Sequence, residues 1–249
     1  MSADPLSLLL KSFRLPTMAE IFERTMQEAE QQGWGYRKFL QYLCESEAQD
    51  RRERKLERLL RQSGLPSGKT LGNLEEAKLP AKVRRVLPGL LDGGFVERAE
   101  NVLAFGLPGR GKSHFLAALG KELILRHSYA VLFTPAFKLV QQLLTAKRDL
   151  RLESLLQKLD KYNVVVLDDI GYIKQDRDEM EVLFTFLAER YERRSVMISS
   201  NLVFSKWDQI FKDPMTTMAA IDRLVHHAII LEFNGESLRV QRDQTKGGG

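Results

Sequence analysis

Between residues 6 and 62 the apolar positions recur at helical spacing and nowhere alternate as a strand would. Ile21, Phe22, Met26 and Ala29 would share one face of a first long helix, and Gly33-Trp34-Gly35 interrupts the period. A second helix opening at Tyr36 would carry Phe39, Leu40 and Leu43 together and continue through ESEAQDRRERKLERLLRQ, whose Glu/Arg spacings suit pairing four residues apart. SGLPSGK, residues 63–69, has the composition of a turn or linker. From residue 70 the pattern changes to short apolar, β-branched runs: VLAFG (102–106), AVLFT (130–134), VVVLDD (164–169), VMISSN (196–201) and AIILEF (228–233). The stretches between them are long enough for crossover helices, so the runs predict a parallel sheet covered on both faces. The expectation is a small all-α domain over 1–66, an α/β domain with a five-stranded parallel sheet over 67–246, and a disordered tail at 247–249.

Between two apolar segments stands Gly106-Leu107-Pro108-Gly109-Arg110-Gly111-Lys112-Ser113, followed by His114. It fits the phosphate-binding pattern G-x-x-x-x-G-K-[ST] at every position, and it follows a predicted strand and opens a predicted helix. Glycine permits the backbone angles that turn several N–H groups onto a polyphosphate, and the helix beginning near Gly111 adds its free N–H groups and positive dipole end. Lys112 is placed to bridge the β- and γ-phosphates of ATP, and Ser113 to offer its hydroxyl to Mg²⁺.

A second acidic site is needed for hydrolysis. NVVVLDDIGY supplies it: a continuous apolar strand, expected at the centre of the sheet, ending in Asp168-Asp169. Asp168 takes the magnesium position and Asp169 the water-polarising one. Because AVLFT intervenes in sequence, the glycine loop and the acidic strand are not consecutive, which suits a sheet with an extra strand between them. Ser200 and Asn201 end the next strand, where an amide can reach the attacking water or the γ-phosphate; Ser-Asn is also ordinary turn chemistry. Arg223, just before the last strand, would project toward a neighbouring subunit's γ-phosphate, or else form a surface pair with Asp222. His226 and His227 are adjacent and read as structural.

Composition adds limits. The 249 residues are 43% hydrophobic and 29% charged with a net charge of +5, an excess compatible with an acidic partner such as nucleic acid. The single cysteine, Cys44, excludes an intrachain disulfide and reads as a buried helical thiol. No apolar run approaches the ~20 residues of a membrane span, and the N-terminus has no signal-peptide pattern, so a soluble cytoplasmic protein without a membrane partner is expected.

Taken together, FRLPTMAE (13–20), RQSGLP, KTLGNLE (69–75), FVERAENVLAFGLPGRGKSH (95–114), LDDIGYI (167–173) and DRLVHHA followed by GESLR (222–239) resemble the IstB-like transposition helpers among the AAA+ ATPases, with DnaC-type helicase loaders as near relatives. The resemblance implies an AAA+ P-loop fold, ATP-dependent homo-oligomerisation on double-stranded DNA, engagement of a cognate transposase, and a bacterial, nucleoid-associated location. It also implies no C-terminal lid domain: 16 residues follow Phe233, and Arg239 is a candidate substitute for a lid arginine. Asp169 stands where many AAA+ proteins carry glutamate, which opens the alternative of a nucleotide-gated scaffold with negligible turnover; the other alternative is a helicase loader. Candidate DNA contacts are Lys138, Lys147, Arg148 and Arg151 after the second strand, where the initiator branch carries a helix lining the central channel. Arg51, Arg52, Arg54, Lys55, Arg58 and Arg61 form a second basic candidate surface, or a grip on a neighbouring subunit; either set also reads as a solvated helix face.

Overall fold

The computed structural model describes residues 5–172, 177–201 and 224–234. The chain forms two compact units that divide at Arg58 and Leu59. The division falls inside a helix, upstream of the expected boundary at residue 66, because Ser63 already hydrogen-bonds the sheet unit.

The first unit contains α1 (Pro5–Ser12), α2 (Pro16–Gln31) and most of α3 (Tyr36–Gln62). Proline opens α2 and no side chain caps it locally. Its free N–H groups go instead to a buried carboxylate on α3: Glu47 Oε2 accepts from Thr17 N at 2.8 Å and Met18 N at 3.2 Å. Arg51 and Arg54 hold the other oxygen of Glu47 at 3.3 and 3.4 Å. A carboxylate at a helix N-terminus satisfies orphan donors and the dipole together. The Gly33 break is a Schellman closure: Gly33 has φ 65° and Trp34 N donates to Ala29 O at 2.8 Å.

Because the unit closes on Glu47, its buried face is rotated from the expected one. Ala29 and Leu43 are buried, Ile21, Phe22 and Phe39 are half-buried, and Met26 and Leu40 are exposed. Cys44 is also exposed, against expectation. It follows Leu43, and one helical step of about 100° turns it out to solvent.

The second unit carries the sheet. β1 (Asn101–Phe105), β2 (Val131–Pro135), β3 (Val164–Asp168), β4 (Ser195–Ser200) and β5 (Ala228–Glu232) pair parallel in the order β2-β3-β4-β1-β5. The strand expected between the glycine loop and the acids is β4. β1 and β4 are buried at every position, as befits strands covered on both faces. Helices α6 (Lys112–His127), α7 (Ala136–Arg148), α8 (Leu152–Asp160) and α9 (Arg177–Arg190) connect them, with α4 (Ala81–Leu91) and the short α5 (Gly94–Glu97) preceding β1. One core cluster joins Leu103, Leu139, Leu143, Leu167, Phe186 and Ile198.

The edge strand β2 is covered. Phe133 N donates to Ser63 O at 2.6 Å, and Gly64 at φ 65° lies so close that a Cβ would stand 2.8 Å from Phe133 O. At the amino-terminal edge of the sheet, buried Asn101 donates from Nδ2 to Leu224 O at 3.1 Å and accepts from Val196 N at 2.9 Å. Its own N–H donates to His227 O at 2.8 Å. Arg190, 2% exposed, donates to the carbonyls of Leu159, Tyr162, Asn163 and Ser195, and burial lowers its pKa to about 10. Sequence reasoning did not single out either residue.

Candidate functional site

All five strands point their carboxyl ends to one edge, and the motif residues meet there. β1 runs into a loop that holds Gly106, Gly109 and Gly111, with φ of 147°, 81° and 86°. Those angles are strained for side-chain-bearing residues. At Gly106 the space is also taken, since a Cβ would lie 2.5 Å from Phe233 O. Gly111 is the left-handed N-cap of α6, and the first backbone bond of that turn is Phe115 N to Gly111 O at 2.8 Å. The N–H groups at the start of α6 therefore open on the loop.

Lys112 is 8% exposed, and its Nζ donates to Gly106 O at 2.6 Å and Leu107 O at 2.9 Å. The ammonium is thus held inside the curve of its own loop. Ser113, on the first turn of α6, is half-buried, while Leu107 and Pro108 are exposed at the tip. His114 turns away: Nε2 stands 3.1 Å from Thr70 O. A carbonyl can only accept, so Nε2 carries the hydrogen. This contact pins KTLGNLE beside the glycine loop, which no spacing argument reveals.

β3 delivers the acids. The β3–β4 ladder ends at Leu167 and Ile198, and one step further Ser199 Oγ donates to Asp168 Oδ1 at 2.7 Å. Asp169 leaves the strand with φ 59°, a left-handed angle that aspartate tolerates better than glutamate. Its N–H donates to Ser199 Oγ at 2.8 Å, while its Oδ1 is buried with no hydrogen-bond partner. Burial pushes the Asp169 carboxyl above the ordinary aspartate range, and the Asp168 charge adds to the rise; the Lys112 ammonium and the Gly171 N–H pull it back. The influence of Lys112 ties the acid pair to the glycine loop.

Asn201 lies between them, because β4 lies between β1 and β3. Gly106 N donates to Ser200 O at 3.2 Å. The Asn201 Oδ1 is buried and unpartnered. It fills the place a side chain at residue 171 would take: a Cβ on Gly171 would collide with it. Gly171 shows no left-handed φ, so here the space requires glycine and the backbone does not. Neither Gly171 nor Ser199 stood out in sequence; finding them takes the strand register.

Arg223 and Arg239 lie outside the described residues. His226 and His227 stack edge to face at 4.4 Å near the amino end of β5. Among the described residues, no cluster of three His, Cys, Asp or Glu side chains could hold a metal by itself, and no helix is long and apolar enough to cross a membrane. The basic candidates divide. Lys138 and Arg151 line a groove of about 470 Å³ between α7 and α8 that also takes in Lys158. Lys147 instead pairs with Glu181 on α9 at 2.9 Å. Arg148 is exposed at the turn between α7 and α8. In the first unit Arg51 and Arg54 are engaged by Glu47, whereas Arg52, Lys55, Arg58 and Arg61 are exposed.

The chain is similar to several known proteins. An insertion-sequence ATP-binding protein of Sinorhizobium fredii is 42% identical over 235 residues, covering 94% of this chain and 78% of the relative. The insertion sequence IS21 ATP-binding protein of Pseudomonas aeruginosa is 36% identical over 242 residues, 97% of this chain and 91% of the relative. Among solved structures, the DnaC helicase loader superposes with a TM-score of 0.51 over 62% of this chain and 92% of its own, at 17% identity, a likeness of fold. The IstB-like ATP-binding protein pattern matches residues 8–246, and the chain belongs to that family.

Proposed function

We propose that this protein is an ATP-dependent helper of an insertion-sequence transposon, assembling on duplex DNA and presenting it to the cognate transposase. Loop N–H groups from Gly109 to Ser113 and the Lys112 ammonium bind the phosphates of ATP. Ser113 and Asp168 would hold magnesium, which neutralises charge on the transferred phosphoryl group and fixes its oxygens. The residues fit both ligands: the glycine loop opens its donors inward, and two buried acceptor oxygens, on Asp169 and Asn201, point into the same edge without partners. Asp169 orients the attacking water and accepts its proton; Asn201 holds the water or the γ-phosphate.

The observation that carries the assembly reading is where Leu224 sits. Asn101 fixes it at the amino-terminal edge of the sheet, and the glycine loop is at the carboxyl-terminal edge. The five residues of β1 separate the two by roughly 13 Å of strand, at about 3.3 Å per residue. Arg223 is joined to Leu224, so this placement supports its serving a neighbouring protomer's nucleotide. Nucleotide state and oligomer state are then linked. Lys138, Arg151 and Lys158, with Arg148 beside them, make the favoured phosphodiester contact, repeated in each subunit.

Assembly decides the reading. With duplex DNA and magnesium plus a non-hydrolysable ATP analogue, light scattering and negative-stain images should show oligomers on the DNA. Arg223→Ala should bind nucleotide and fail to assemble. A parent protein that stays monomeric and indifferent to duplex overturns the proposal, and a preference for single strands together with capture of a replicative helicase would replace it with loader activity.

A further inference from the structure

We propose that Ser199 is a positioning residue for hydrolysis, binding the two acids into one rigid unit; this rests on the ATP site described above. Ser199 is 1% exposed and follows the last β3–β4 pair. Its hydroxyl has one hydrogen, and that hydrogen goes to Asp168 Oδ1 at 2.7 Å. Its oxygen accepts the Asp169 N–H at 2.8 Å. A single oxygen therefore touches the carboxylate of one acid and the backbone of the other.

The arrangement follows from the end of the strand. Asp169 turns to φ 59° and its N–H leaves the ladder. A buried N–H without an acceptor is costly. The Ser199 oxygen replaces the carbonyl that the next strand residue would have offered. While the Asp169 N–H donates to this oxygen, the hydroxyl directs its own hydrogen at Asp168. That fixes the rotation of the Asp168 carboxylate, occupies Oδ1 and leaves Oδ2 for a cation. The same bond holds the left-handed turn that aims Asp169.

The test compares Ser199→Ala and Ser199→Thr in the full-length protein. The readouts are binding of a fluorescent ATP analogue with and without magnesium, the magnesium concentration at half-maximal ATPase, and kcat. Loss of a group that orients a metal-binding carboxylate typically costs roughly 10–100-fold in metal affinity or activity. Ser199→Ala should keep magnesium-free nucleotide binding within about twofold, lose most of the gain that magnesium gives, and lower kcat by roughly tenfold or more. Ser199→Thr, which keeps the hydroxyl, should recover the magnesium gain. Parent-like magnesium dependence in the alanine variant overturns the role of Ser199 and leaves the ATP site standing. Equal losses in both variants, matched in magnesium-free binding, overturn it as well, by showing a packing role. A parent protein that binds no nucleotide removes the ATP site and this inference together.

Discussion

Two asparagine side chains mark opposite edges of one sheet. Asn101, the first residue of β1, uses both ends of its amide: one end donates to Leu224 O and the other accepts from Val196 N. Asn201, after β4, leaves its Oδ1 buried without a partner, as Asp169 does its own Oδ1. Polar groups that hold a fold together saturate one another, because an unpaired buried donor or acceptor costs about 1–3 kcal/mol. Those that perform chemistry must keep a valence open for the reactant. The proposed function then makes the amino-terminal edge one of stability and the carboxyl-terminal edge one of chemistry.

The most severe test of this division is to truncate each amide. Asn101→Ala leaves Leu224 O and Val196 N unpaired in the interior and should cost about 2–4 kcal/mol of stability. Nucleotide binding per folded molecule should persist. Asn201→Ala should do the reverse: ATPase kcat falls roughly 10²-fold, and thermal stability holds or rises slightly, since an unsatisfied acceptor has gone. Melting curves and single-turnover hydrolysis on both variants decide it. An Asn201→Ala protein as destabilised as Asn101→Ala would end the contrast.

The legibility of the two edges differed for the same reason. The glycine loop, the acid pair and Asn201 stand out in sequence because phosphate chemistry calls for particular residue types at fixed spacing along one chain segment, and the fold brings them to one edge of the sheet. The five-strand sheet was readable from its apolar runs. Asn101, Ser199 and Gly171 were not, because their roles depend on which residue of another strand lies opposite, and register is set by tertiary packing. The N-terminal helices were legible as helices, but their buried face was misjudged at Met26, Leu40 and Cys44, since the unit is centred on a carboxylate, Glu47, that apolar periodicity ignores. Lys147 reads in sequence as a DNA-facing or solvated cation, yet Glu181 on another helix pairs with it, whereas the Glu47–Arg51 pair is one that the four-residue spacing anticipates.

A smaller perturbation of the functional edge comes from Gly171. It sits in the 3-10 turn Ile170–Tyr172, and a methyl group there meets the Asn201 amide. Gly171→Ala should lower kcat by about 3–10-fold, with ATP binding unchanged, by displacing that amide. Combined with Asn201→Ala it should cost nothing more, because the group it displaces is already absent. Independent, multiplying losses would mean that Gly171 acts through something other than Asn201. Stability should not fall much, since alanine restricts the unfolded chain by about 0.4–1 kcal/mol relative to glycine.

The smallest expected effect sharpens the comparison most, because it asks whether the functional edge carries a stability cost. The Asp169 carboxyl titrates above the ordinary aspartate value of 3.8, chiefly through burial and then through Asp168. The folded chain therefore holds that proton more tightly than the unfolded chain does. This contribution to stability is fully present below pH 3.8 and is lost as pH rises through the elevated folded value. At neutral pH the charged group occupies a site that disfavours it. Asp169→Asn removes the charge, and asparagine also suits a left-handed angle, so the nucleotide-free variant should melt about 1–2 °C above the parent at pH 7.5 while hydrolysing ATP far more slowly. The two sources separate on acidification: the charge part of the gap closes as the parent carboxylate protonates, and the backbone part does not. A gap that stays constant from neutral pH into the carboxylate range would assign the gain to the backbone alone, and a variant less stable than the parent at pH 7.5 would mean that this edge, too, is built for stability.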